Sequence, residues 1–146
     1  MSHVLRRCNN KHKLVFITES ELELLTFAAA EFKPTRIFTD IEKRNVKDLP
    51  DHDVYVAGPP CQAWSTSGLR GGLSDARGRK IFRVCEVAQE KQPAVIVLEN
   101  VLNLMKDFED VFKQVCRRLR GAAYQLKFDV VDTAEMGFHN GGGGCM

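Results

Sequence analysis

Cys61 stands in the run Ala57-Gly-Pro-Pro-Cys-Gln-Ala-Trp-Ser65, just past the apolar stretch Val54-Tyr-Val-Ala57 and behind Pro59 and Pro60, whose rings fix the backbone. A thiol projected from such a loop at a sheet edge has few rotational options. Nearby arginine or lysine would lower its pKa and make it a strong nucleophile. Taken alone, a cysteine is more simply a small buried hydrophobe. Two prolines before it and Gln-x-x-Ser after it are not core composition. The second reactive group is Glu99, followed by Asn100 and preceded by Ala94-Val-Ile-Val-Leu98. An acid emerging from a strand end is expected to be partly desolvated, which suits it to deliver a proton. A helix cap or loop acid is the plainer role for either residue. A cysteine and an acid at one end of one sheet together favour nucleophilic attack assisted by proton transfer.

These groups need strands to carry them and helices to hold the strands. Leu14-Val-Phe-Ile-Thr18 reads as a strand. Ser20 and Glu23 match a capping box before Leu22, Leu25, Ala28, Ala29 and Phe32 at helical spacing. Arg36-Ile-Phe-Thr-Asp40 and Val54-Tyr-Val-Ala57 read as two more strands, the latter stopped by Gly58-Pro59-Pro60. From Arg77, the residues Ile81, Phe82, Val84, Cys85, Val87 and Ala88 form a helical face up to Pro93, and residues 94–98 suit a central parallel strand. Phe108, Val111, Phe112, Val115, Cys116 and Leu119 form an amphipathic helix ending near Gly121. Tyr124, Leu126, Phe128 and Val130 alternate with polar residues as a half-buried strand. Alternating strand and helix argues for a doubly wound α/β sheet with functional loops at the carboxyl ends of its strands. The glycine-rich tail is read as disordered.

The chain has 146 residues, 44% of them hydrophobic and 27% charged, the balance of one globular domain rather than a fibrous or disordered chain. A formal net charge of +2 commits it to no polyanion, so a nucleic-acid reading must rest on local residues. Five cysteines, without a C-x-x-C pair, suggest reduced intracellular thiols rather than a disulfide framework or a zinc knuckle. The N-terminal residues lack an apolar signal core, and no run approaches a membrane span; a soluble protein is expected.

Gly58-Pro-Pro-Cys-Gln-Ala-Trp-Ser65, then Leu73-Ser-Asp-Ala-Arg-Gly-Arg79, then Leu98-Glu-Asn-Val101, in this order and spacing, resemble the catalytic core of DNA (cytosine-5)-methyltransferases. The resemblance covers residues 14–137. It implies a Rossmann-like class I fold that uses S-adenosyl-L-methionine and takes double-stranded DNA as substrate, with RNA, used by one branch of the family, left open. By that resemblance Cys61 attacks C6 of a flipped-out cytosine, and Glu99 contacts N3 and the exocyclic amine. Glu19, ending the first strand, resembles the acid that binds the cofactor ribose, and Asp40 resembles the acid near the adenine amine; Pro59 joins these cofactor contacts. Pro60 and Gln62 shape the base pocket, Ser65 and Arg77 meet the nucleic acid, and Asn100 forms the loop beneath Glu99. Between residues 68 and 83, five cations (Arg70, Arg77, Arg79, Lys80 and Arg83) stand against Asp75 alone, and four glycines suggest a mobile loop that could neutralise phosphates. Arg117, Arg118 and Arg120 read as an exposed helix end.

The chain also departs from the family pattern. The family's opening strand and Phe-x-Gly-x-Gly loop have no counterpart, because the first glycine is Gly58. That strand belongs at the sheet centre, between those at Leu14 and Val54, so the fold must close a gap or borrow a strand from another chain or segment. Ala134-Glu-Met-Gly137 resembles the approach to a later arginine-bearing motif, yet Phe138-His-Asn-Gly-Gly follows. No target recognition domain is recognisable. The expected organisation is a polar segment over residues 1–13, a partial catalytic domain over 14–138 and a glycine-rich tail over 139–146. Placement is expected to be intracellular: nuclear in a eukaryote, cytoplasmic or nucleoid-associated in a bacterium. The alternative function is a truncated, inactive relative that binds nucleic acid or a partner. A thiol redox protein is a weaker third reading, since no resolving cysteine lies close in sequence to Cys61.

Overall fold

The computed structural model describes residues 11–65 and 70–131; the readings for the N-terminal segment before Lys11, for Ala134-Glu-Met-Gly137 and for the glycine-rich tail lie outside the described residues. The architecture is mixed α/β. Strands β1 (Phe16–Thr18), β2 (Arg36–Phe38), β3 (Val54–Ala57) and β4 (Val95–Leu98) alternate with helices α1 (Leu22–Phe32), α2 (Ala76–Lys91), α3 (Asn103–Lys106) and α4 (Glu109–Gly121). Two compact units result, Met1–Ala57 with Glu86–Val97, and Gly58–Cys85 with Leu98–Met146. Among the described residues no helix is long and apolar enough to cross a membrane.

In the first unit β1 and β2 pair in parallel, with Phe16 opposite Arg36 and Thr18 opposite Phe38. The intervening α1 turns Leu25, Ala28, Ala29 and Phe32 inward as the 3.6-residue period requires, although none of its residues is fully buried. The expected capping box does not form. Glu21 occupies the N-cap without a side-chain bond, and its amide donates to the Glu19 carboxylate at 2.9 Å. Leu22, Leu24 and Phe27 stay exposed on the outer face.

The four strands form two separate pairs, β1 with β2 and β3 with β4, rather than one sheet. Side chains fill the space between β1 and β3. Arg44, only 5% exposed, donates to Thr18 Oγ1 at the end of β1 and to Tyr55 Oη of β3 at 2.8 Å. The rings of Phe16, His52 and Tyr55 pack around it with centroids 5.1–6.1 Å apart. Among the described residues a guanidinium ties these two strands in place of backbone bonds. Nor are β3 and β4 covered on both faces as a central strand would be. Tyr55 is buried while Val54, Val56 and Val95 are exposed, because among the described residues nothing packs on their second face.

In the second unit α4 buries Val111, Val115, Cys116 and Leu119, the stripe expected from the periodicity. The Arg118 guanidinium lies 4.6 Å from the centre of the Phe82 ring, covering an aromatic edge of α2. The strand expected over residues 124–130 is absent: the segment is irregular, Phe128 leans on Phe112 at 5.2 Å, and Val130 is exposed. Alternation alone does not make a strand, and no described strand pairs with it.

Candidate active site

The loop after β3 is tied at both ends. Upstream, Asn100 Nδ2 donates to the Pro59 carbonyl at 3.2 Å, and Asn100 Oδ1 accepts from the Val101 amide at 3.0 Å. Glu99 lies so close that a Cβ added to Gly58 would stand 3.3 Å from Glu99 Oε2. Gly58 therefore leaves room for the carboxylate, a role that its place at the strand exit signals only in retrospect. The strand-end dipeptide Glu99-Asn100 is thus brought against Gly58-Pro59, within three residues of Cys61. Contrary to the partly desolvated acid expected from the sequence, Glu99 is exposed, since no described side chain closes over it.

Downstream, the amides of Trp64 and Ser65 both donate to the Cys61 carbonyl, at 2.9 and 2.8 Å, folding Cys61 into a tight turn. Ala63 and Trp64 are completely buried and act as the foot of that turn. Pro59 is buried, Pro60, Cys61 and Ser65 are half-buried, and Gln62 is exposed. Cys61 itself is disulfide-bonded, whereas Cys85 and Cys116 are free. The expectation of reduced thiols is corrected at Cys61. Burial pushes the Cys116 thiol up, away from nucleophilic use.

The basic stretch is more engaged than its charge count suggests. From Gly72 onward it is ordered, as a 3-10 turn (Gly72–Ser74) and then α2. Asp75 accepts from the Arg77 amide at 2.9 Å and closes a two-pronged ion pair with the Arg77 guanidinium. That pairing holds the Asp75 carboxyl below its ordinary value and raises Arg77. Arg79 donates to the Leu73 carbonyl at 2.9 Å, and Arg70 pairs with Asp107. Arg70, Arg77 and Arg79 thus all have partners among the described residues. Two features that matter here escaped the sequence: the burial of Trp64 against Phe108, and the close approach of Gly72 and Gly78 beneath the turn.

The first unit carries the two further acids. Glu19 follows β1 and Asp40 follows β2, at the same end of a parallel pair. Each spends one oxygen locally, Glu19 Oε1 on the Glu21 amide and Asp40 Oδ1 on the Glu42 amide at 2.9 Å. Their second oxygens take no hydrogen bond that involves described residues and are open to accept from hydroxyl or amine donors.

Comparison with known proteins bears on the whole arrangement. A family model described as C-5 cytosine-specific DNA methylase matches residues 1–140. The type II methyltransferase M.HhaI of Haemophilus parahaemolyticus is 47% identical over 99 residues, covering 67% of this chain and 30% of that protein. M.NgoBI of Neisseria gonorrhoeae is 38% identical over 101 residues, 68% of this chain and 32% of its own length. M.Bsp6I of Bacillus sp. (strain RFL6) is 36% identical over 110 residues, 74% and 35% respectively. The chain thus spans about a third of the length of these curated relatives. The strand-borne cysteine loop, the acid set against it and these likenesses agree, and the chain belongs to the C-5 cytosine-specific DNA methylase family.

Proposed function

We propose that this chain carries the cysteine-and-acid centre of a DNA (cytosine-5)-methyltransferase on a partial Rossmann-like class I sheet. The observation that carries the reading is the contact of Glu99-Asn100 with Gly58-Pro59, which holds an acid beside the Cys61 turn. Cytosine C5 and C6 are shielded within the stack, so the base must be flipped out to reach the pair. After reduction of its disulfide by a dithiol, the Cys61 thiolate adds to C6. Glu99 supplies a proton to N3, and the electron pair of the C5–C6 double bond becomes available at C5. Once C5 has bonded the methyl group that a sulfonium donor would supply, loss of the C5 proton, return of the N3 proton to Glu99 and re-formation of the double bond expel the thiolate.

S-adenosyl-L-methionine is the methyl donor the family uses. Glu19 and Asp40 fit its nucleoside portion, because each keeps a carboxylate oxygen at the end of a strand for ribose hydroxyls or an adenine amine. The Phe-x-Gly-x-Gly motif that the family uses at the methionine end does not occur in this sequence. Pro60, Gln62 and Ser65 line the approach of the base. Arg77 contributes through its pair with Asp75, which anchors the start of α2. Double-stranded DNA is the proposed partner.

The test is capture of Cys61 by a duplex in which 2-pyrimidinone replaces the target cytosine, because that base accepts a thiolate at C6 without a methyl donor. The reduced chain is expected to give a covalent band that denaturing electrophoresis preserves and that Cys61→Ser abolishes. A folded, reduced chain that binds the duplex without forming the band, or a band that survives Cys61→Ser, would refute the proposal. Calorimetric titration with S-adenosyl-L-methionine, expected to weaken in Glu19→Ala, tests the cofactor assignment separately.

A further inference from the structure

We infer that Phe108, some forty residues from the cysteine loop and outside every recognised motif, is a positioning residue for Cys61; the inference rests on the reading of Cys61 as nucleophile. Phe108 sits at the start of α4 with its backbone locked, because its carbonyl accepts from the Val111 and Phe112 amides at 3.0 and 3.1 Å. Its ring meets three residues of the segment that follows Cys61. Trp64 packs edge-on against it, with centroids 5.2 Å apart and planes at 72°. The Arg70 guanidinium lies 5.9 Å from its centre, held there by the Asp107 carboxylate next in sequence. A Cβ added to Gly72 would stand 3.1 Å from the ring, and Gly72 has a φ of +56°, so both space and backbone demand glycine there. The Gly72 amide in turn donates to the Ala63 carbonyl at 3.1 Å, joining Gly72 to the turn that holds Cys61.

One ring therefore meets Trp64 on one side and Arg70 and Gly72 on the other. Through Trp64, whose amide is bonded to the Cys61 carbonyl, it sets the attitude of the turn that presents the sulfur. Since an error of about 1 Å in a reacting group can cost on the order of a hundredfold in rate, a ring under the turn controls reactivity without touching substrate.

The experiment compares Phe108→Leu, which keeps apolar bulk but loses the flat face, with Phe108→Tyr, which keeps it. Capture by the 2-pyrimidinone duplex is followed over a range of duplex concentrations, alongside thermal melting. Phe108→Leu is expected to lower the maximal capture rate about tenfold while half-saturation stays within about twofold, and Phe108→Tyr to restore the rate. A residue that only stabilised the fold would lower the melting temperature and leave the maximal rate alone. In parallel, alkylation of the reduced Cys61 thiol by iodoacetamide reports the turn without any substrate, and Phe108→Leu is expected to quicken it about threefold through greater exposure. If wild type gives no capture, the proposed function fails, and the alkylation ratio still decides the role of Phe108. A folded leucine variant with wild-type alkylation, or with wild-type capture, overturns the inference, as does a tyrosine variant as impaired as leucine. Phe108→Met replaces the leucine variant if that protein does not melt cooperatively.

Discussion

Adding one methyl group at Gly78 should reverse the usual consequence of a glycine-to-alanine exchange in a helix. Gly78 lies in the first turn of α2, where alanine would ordinarily stabilise by about 1 kcal/mol. Here the new Cβ would stand 2.2 Å from the Gly72 carbonyl oxygen, 3.0 Å from its carbon and 3.1 Å from Ala63 Cβ. The blocking atoms are backbone, so no rotamer change relieves the overlap. The chain at Gly72 must retreat, and that retreat strains the bond from the Gly72 amide to Ala63. Overpacking of this kind costs about 1–3 kcal/mol, and losing the bond costs about 1 kcal/mol more. After the helix gain is subtracted, a net loss of about 1–3 kcal/mol remains, which lowers the melting temperature by about 3–9 °C in a chain of this size. Circular dichroism melts of the reduced protein and of Gly78→Ala, at equal concentration, make the comparison. A variant that melts at or above the wild-type temperature would show that α2 does not press on the cysteine turn as described.

Further expectations concern charge, catalysis and surface. Asp75→Asn keeps a capping side chain but removes the ion pair with Arg77, so it should melt below wild type at neutral pH. Because the native Asp75 pKa is lowered from 3.8, its contribution is present above that value and fades as pH falls through the native one, so the gap should close in acid; a gap unchanged from pH 7 to pH 3 refutes the assignment. Glu99→Gln should slow capture of the 2-pyrimidinone duplex by about a hundredfold or more while leaving iodoacetamide alkylation of Cys61 within about twofold, and equal loss in both assays would mean a disturbed loop rather than a lost proton donor. Leu24 and Phe27 are 57% and 63% exposed on one face of α1, so Leu24→Lys with Phe27→Lys should reduce concentration-dependent association in sedimentation velocity. Wild type sedimenting as a monomer at every concentration would count against that surface as a site of association.

The helices were legible because their signals are local. The inward stripe of α1 and the buried stripe of α4 follow from the 3.6-residue period. Strand β3 matches its sequence reading residue for residue, since Gly58-Pro59-Pro60 ends it sharply. The capping box at Ser20 did not form because the helix starts one residue later, with Glu21 at the N-cap and its amide bonded to the Glu19 carboxylate. The strand expected at residues 124–130 failed for a different reason, since a strand exists only where another edge accepts its hydrogen bonds.

The amino-acid sequence by itself determined the family, the residue types at the candidate centre and the alternation of strand and helix. These depend on identity, order and spacing along the chain. Tertiary structure alone decided that the strands form two pairs with Arg44 between them, that Glu99 lies open against Gly58, and that Arg70 and Arg77 are engaged by Asp107 and Asp75. It also decided that Phe108 meets Trp64. Each of these is a contact between groups whose meeting depends on how distant segments pack once the chain has closed its loops. Local pattern carries no record of which edge, which carboxylate or which ring will be waiting there.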